Sequence, residues 1–378
     1  MRFRFLRRQI RDIILPDMKL LALQEFHRSL GAHFSELNGA EIVGDYGDWL
    51  AEYKALREAV GILDFSFRSR ICLIGADRVR FLHGQITNDI KKLRVGDGCY
   101  AAITTNKGKM ESDLNVFNLP DELLLDFEPG LTEKISARLG KFIVADDVQI
   151  VDAAPHYGLL SVQGTKAEDV IRRLDLFPQI PEKQFGSVKI SDATLGEIYL
   201  ANHTRLGEDG FDLFVPNNSL DAVADKLIAA AKQIGGRACG WTAFETVRIE
   251  NGIPRFGADM DETNLPLECG IENHAVSYNK GCYIGQEVIN RIHSIGHVNR
   301  ELRGLRLADD LKTLPQKHDK LFFNGKEVGF VTSSVKSPKF GNIALGYVRR
   351  EANQIGTELI LKTASGESAV KIVELSFV

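Results

Sequence analysis

The chain has 378 residues, enough for two or three domains with well-buried cores. Hydrophobic residues are 44% and charged residues 26%, and no apolar run reaches the ~20 residues of a membrane-spanning helix, so a water-soluble globular protein is expected. The net charge of -4 argues against a general nucleic-acid-binding surface, while leaving room for a local basic patch around a small anion.

Residues 1–17 read as a basic tail, with Arg2, Arg4, Arg7, Arg8 and Arg11 before the first acid, and are expected to be disordered. From Asp48 to Val60 the apolar residues Trp49, Leu50, Tyr53, Leu56 and Val60 fall at helical spacing. A strand is predicted over 70–74, and Asp77 is placed as the N-cap of a helix carrying Val79, Phe81 and Leu82. Residues 100–104 read as a strand, 105–109 as a hairpin turn and 113–117 as the returning strand. A strand over 123–127, an amphipathic helix over 131–142 and a strand near 148–151 complete a first α+β unit. A second unit of comparable design follows: strand 159–162, helix 167–174, strands 188–190, 197–201 and 211–215, and helix 220–234. Past Arg300 short strands at 302–307, 320–323, 327–335, 343–348, 358–361 and 370–375 are punctuated by Gly, Asn and Pro, the pattern of a small β-barrel.

Five cysteines, Cys72, Cys99, Cys239, Cys269 and Cys282, are an odd number with no Cys-x-x-Cys pair. That spacing points to reduced thiols in a cytoplasmic protein and offers no self-contained zinc or iron–sulfur site. His293 and His297 have i,i+4 spacing but no evident third ligand, so no metal site is assigned. The octapeptide Lys280-Gly281-Cys282-Tyr283-Ile284-Gly285-Gln286-Glu287 sets a cysteine between glycines, two residues after a lysine. A cationic neighbour raises a thiol's thiolate fraction. A reactive thiol and a tight turn around a buried cysteine both fit that composition.

This octapeptide resembles the signature of the YgfZ family of folate-binding proteins, and residues 45–375 resemble the glycine-cleavage T-protein (aminomethyltransferase) superfamily to which that family belongs. The segments that carry the resemblance, in order, are Lys109–Leu114, Ser161–Gly164, Gly207–Leu213, Thr246–Gly252, Met260–Thr263, Gly329–Ser333 and Ala344–Tyr347. It implies an α+β aminomethyltransferase-like fold: two α+β subdomains over 18–300 and a β-barrel over 301–378, around a central opening that holds tetrahydrofolate or a derivative.

By the same resemblance, Asp113 orients the reacting amine and handles its proton, and Asp212 stands where a glutamate reads the pterin's N–H edge. Arg300 becomes a candidate for the anionic folate tail. Cys282 becomes a thiolate or transient ligand, supported by Lys280. Three positions depart from the T-protein pattern: Phe244 where an arginine is expected, Arg205 where a tyrosine is expected, and Asn273 where an aromatic is expected. The first expectation is therefore a YgfZ-type folate-binding protein supporting iron–sulfur cluster assembly or repair, and through it tRNA modification. Its partners would be assembly proteins or client enzymes, with no direct nucleic acid or membrane contact. A folate-dependent aminomethyltransferase or demethylating one-carbon transferase is the alternative, and a non-catalytic scaffold the third reading.

Overall fold

The computed structural model describes residues 18–378; the basic segment 1–17 lies outside the described residues. Helix Trp49–Glu58 forms where helical spacing puts Tyr53 and Leu56 on one buried face, and Asp48 caps it by accepting from the Ala51 amide at 3.0 Å. Asp77 does not play the expected role. It makes no capping bond to helix Arg78–His83, and its Oδ2 accepts from the Asp147 amide at 3.0 Å instead.

Two sheets carry the α+β part. The first is antiparallel, in the order Gly98–Thr104, Met110–Asn118, Glu122–Phe127, Ser69–Ile74 and Gln149–Asp152. The second runs Ser187–Asp192, Gly196–Asn202, Gly210–Pro216, Tyr157–Gln163, Gly61–Asp64 and Arg237–Ala238, with only the last pair parallel. The second sheet is thus not built from the second unit alone. Gly61–Asp64 precedes the first unit in sequence yet pairs with Tyr157–Gln163. The chain therefore visits the second sheet before it makes the first, which ties the two subdomains together.

The C-terminal strands close into a barrel in the order Arg300–Leu307, Gly341–Arg349, Lys326–Ser337, Lys320–Phe323, Glu358–Thr363 and Gly366–Val373. Closure pairs the first strand with the last and leaves no open edge. Leu305, Leu321, Val331, Leu361 and Ile372 fill its interior. Helix Trp241–Glu250 joins the parts, packing on helix Trp49–Glu58, strand Ala40–Asp45 and strand Lys326–Ser337. Its last residue, Glu250, is fully buried and accepts from Tyr53 Oη (2.9 Å) and Ser337 Oγ while pairing with Arg57 (2.8 Å). One carboxylate so fixes two helices and the barrel against each other.

Candidate functional site

Side chains of strand Met110–Asn118 alternate between two environments, as the pleat requires. Leu114 and Val116 enter the core of the first sheet. Asp113 and Asn115, on the other face, line a cavity of about 680 Å³. The cavity collects residues from both sheets and from helix Trp241–Glu250, with Phe65, Trp241 and Phe244 as aromatic walls. These three rings pack edge-on or tilted at centroid distances of 5.0 to 6.4 Å.

Tyr100 Oη donates to Asp113 Oδ2 at 2.8 Å. Burial, together with the like charge of Glu128, pushes the Asp113 carboxyl up to about 6, against the opposing pull of Tyr100 and Arg68. Around it lies a chain of ion pairs. Arg68 Nε donates to Asp126 Oδ1 and its Nη1 to Glu128 Oε1, both at 2.8 Å. Arg255 Nη1 donates to Glu128 Oε2 at 2.8 Å and its guanidinium stands 5.2 Å from the Trp241 ring. Arg205 Nη2 donates to Asp126 Oδ2 at 3.0 Å. Burial alone would raise the fully buried Asp126; Arg68 and Arg205 win and hold it well below the usual carboxylate range. Sequence reading missed Arg68, Tyr100, Glu128 and Arg255. The visible signals were Asp126 and Glu128, two charges in and just after the otherwise apolar stretch 123–127 of strand Glu122–Phe127.

The other expected site residues lie elsewhere. Asp212 does not line the cavity. It is fully buried, and its oxygens accept from Ser161 Oγ (2.7 Å) and from Arg205 Nε (3.0 and 3.1 Å) and Nη2 (2.7 Å), with His203 Nδ1 2.8 Å away. Burial opposes its ionisation, but Arg205 and His203 hold it down to about 2. No lone pair is left over for a ligand edge.

Arg300 does not line this cavity either. It lines a second cleft of about 960 Å³ beside the barrel, with Lys109, Lys320, Arg349 and Arg350. There its Nη2 donates to the Thr263 carbonyl at 3.2 Å, and its guanidinium lies 5.0 Å from the Tyr347 ring.

Lys280 is buried, and its Nζ donates to the carbonyls of His83, Ile86 and Asn88 at 2.6, 2.7 and 2.8 Å. All three of its donors clamp the loop after helix Arg78–His83. Cys282 is exposed and lines neither cavity, whereas Cys72, Cys239 and Cys269 are buried and Cys99 is partly so. His293 sits on helix Gln286–Ile295, paired with Glu272 at 2.7 Å, and His297 lies beyond the helix end, so the two do not share a helical face. Among the described residues no helix is long and apolar enough to cross a membrane.

Residues 23–280 match the GCVT N-terminal domain, and residues 300–378 match the glycine cleavage T-protein C-terminal barrel domain. The chain belongs to the glycine cleavage T-protein family. Two relatives named aminomethyltransferase are similar along nearly their whole length. That of Herpetosiphon aurantiacus is 30% identical, over 90% of this chain and 93% of the relative. That of Halalkalibacterium halodurans is 27% identical, over 96% and 99%. The solved glycine cleavage system aminomethyltransferase T from Bartonella henselae superposes with a TM-score of 0.84 at 24% identity, covering 96% of this chain and 98% of that one. The T-protein fold expected from sequence is therefore the fold of this chain. Cys282 and the helix after it fall between the two matched T-protein domains.

Proposed function

We propose that the cavity binds a reduced folate and that the protein is a folate-dependent one-carbon transferase of the aminomethyltransferase type. The observation that carries this reading is Asp113, a cavity-facing carboxylate held by Tyr100 and shifted to about 6, close to working pH. Family membership and the aminomethyltransferase names of the relatives support it. The residues present fit a folate: aromatic walls for a flat ring, and a carboxylate beside the place where a ring amine would lie. A bound tetrahydrofolate supplies the nucleophilic amine that takes up the carbon unit. Asp113 accepts the proton of that amine and returns one, which a carboxyl with a pKa near neutrality does efficiently. Tyr100 keeps the carboxylate oriented, and Phe65, Trp241 and Phe244 keep water away from it.

The test is formation of methylene- or methyl-tetrahydrofolate by the purified protein from tetrahydrofolate and aminomethyl or methylamine donors. D113N is expected to lower the rate by about 10²–10⁴ while folate affinity changes by less than about threefold. No product above background with the wild type, across the donor panel, sinks the reading.

A second reading is favoured by Cys282, the one cysteine that is exposed, on a loop outside the cavity. In it the protein is a cytoplasmic YgfZ-type factor that supports iron–sulfur cluster assembly or repair, and so tRNA modification, with Cys282 facing a protein partner. C282A would then lose support of iron–sulfur enzymes in cells with an unchanged folate titration. Full support by C282A removes this reading.

A further inference from the structure

Asp126 fastens two guanidinium groups side by side. Its Oδ1 takes Arg68 Nε and its Oδ2 takes Arg205 Nη2. Arg68 Nη1 is taken by Glu128, and Arg205 Nε by Asp212. Among the described residues, Arg68 Nη2 and Arg205 Nη1 have no protein partner, and neither is sealed away in the interior. Both arginines line the cavity. The Phe65 ring lies 5.1 Å from the Arg205 guanidinium and limits its tilt. Two charged N–H groups, immobilised by buried carboxylates, are therefore left facing the ligand space.

We propose that Arg68 and Arg205 form a donor clamp that reads the acceptor edge of the bound ring, in place of a carboxylate reading an N–H edge. The clamp rests on the folate reading above, and the group it takes is the pterin's 4-oxo oxygen. Asp212 is excluded from the opposite task because Arg205, His203 and Ser161 enclose it. Guanidinium N–H groups match a carbonyl oxygen in charge and direction. The 4-oxo oxygen and the reactive N5 amine of a tetrahydropterin point to the same side of the ring. A clamp on the oxygen thus brings the amine toward Asp113, which lines the same cavity and feels the Arg68 charge.

In the 4-amino analogue of folic acid the acceptor oxygen becomes an amino donor, and the neighbouring ring N3 turns from donor to acceptor. Donor would then meet donor, and a buried charged group would lose its partner. Calorimetric titration of the full-length protein at neutral pH should show folic acid binding tighter by about tenfold or more. In R205K and R68K, which keep the charge but offer one nitrogen in place of three, the ratio should fall to within about threefold. A thermal melt establishes that each variant is folded, and should one not fold, the wild-type ratio alone decides. Equal binding of the two ligands, or tighter binding of the 4-amino analogue, overturns the clamp and leaves the folate reading intact. Binding of neither folic acid nor tetrahydrofolate overturns both.

Discussion

Replacing Asp113 by Asn should make the protein more stable at pH 8, by an amount that vanishes in acid. In the unfolded chain the carboxyl titrates near 3.8, and in the folded chain near 6. Between those values the folded state binds the extra proton, so stability falls as pH rises. Above pH ~6 the penalty for holding a charge there is fully present; below pH ~4 it is absent. A shift of about two units corresponds to ~3 kcal/mol. Asn carries no charge and still accepts from Tyr100 Oη, so D113N escapes the penalty with the hydrogen bond kept. In a chain of this length the gain converts to a rise in Tm of roughly 3–6 °C. Thermal unfolding of wild type and D113N from pH 4 to pH 8 measures it, the difference between the two isolating this one carboxyl from others that titrate. A gap that opens between pH 4 and 6 and then stays constant is expected. A lower Tm for D113N at pH 8, or a gap independent of pH, would refute the claim that Asp113 is strained by burial and by Glu128. The same result bears on function, since a group kept at a cost to stability is typical of catalytic positions.

Asp212→Ala leaves Arg205 without its main counterion in a buried place and should cost about 3–5 kcal/mol; a variant with wild-type stability in urea would show that the pair does not hold the fold. Lys280→Met strips three buried or half-buried carbonyls of their donor and should cost roughly 3 kcal/mol, while the reaction rate of Cys282 with a disulfide reagent stays within about twofold. A drop in that rate with stability unchanged would restore the direct role of Lys280 on the thiol. Native thiol titration should find one fast group, lost in C282S, and five after denaturation, because burial pushes Cys99 and Cys269 up to about 12; a second fast thiol would contradict the burial described.

The barrel was readable because its strands are short and cut by turn residues; five of the six predicted ranges fall within the strands formed, and the sixth, 370–375, runs two residues past the end of Gly366–Val373. Two elements without alternation were not readable. Gly61–Asp64 is buried at all four positions, and helix Trp241–Glu250 buries Ala243, Phe244 and every residue from Thr246 to Glu250, so neither shows a polar face. The hairpin His33–Leu37 with Ala40–Asp45 was legible in principle. Its turn, Asn38-Gly39, takes positive φ at both residues, the geometry for which Asn-Gly is the strongest short-range signal. The ion pairs of the cavity could not be read from spacing, because Arg68 meets Asp126 across 58 positions and Arg255 meets Glu128 across 127.

Three of the positions that the resemblance sets apart from the T-protein pattern, Asp212, Arg205 and Phe244, make sense only together. Taken singly, Asp212 looks like a shortened glutamate, Arg205 a misplaced cation and Phe244 a lost arginine. In the fold Asp212 and Arg205 bind each other, which holds Asp212 away from the cavity and fixes Arg205 at its wall. Phe244 adds no charge and joins Phe65 and Trp241 as a ring surface beside Arg205 and Arg68. A shortened carboxylate alone would have kept the polarity of the site and weakened its grip. Paired with Arg205, as in the clamp proposed above, it reverses that polarity. The sequence comparison that matters at this cavity is therefore the pair 205 and 212, read jointly with residue 68, and a relative that carries an arginine at one of these positions without the partner acid should not form the clamp.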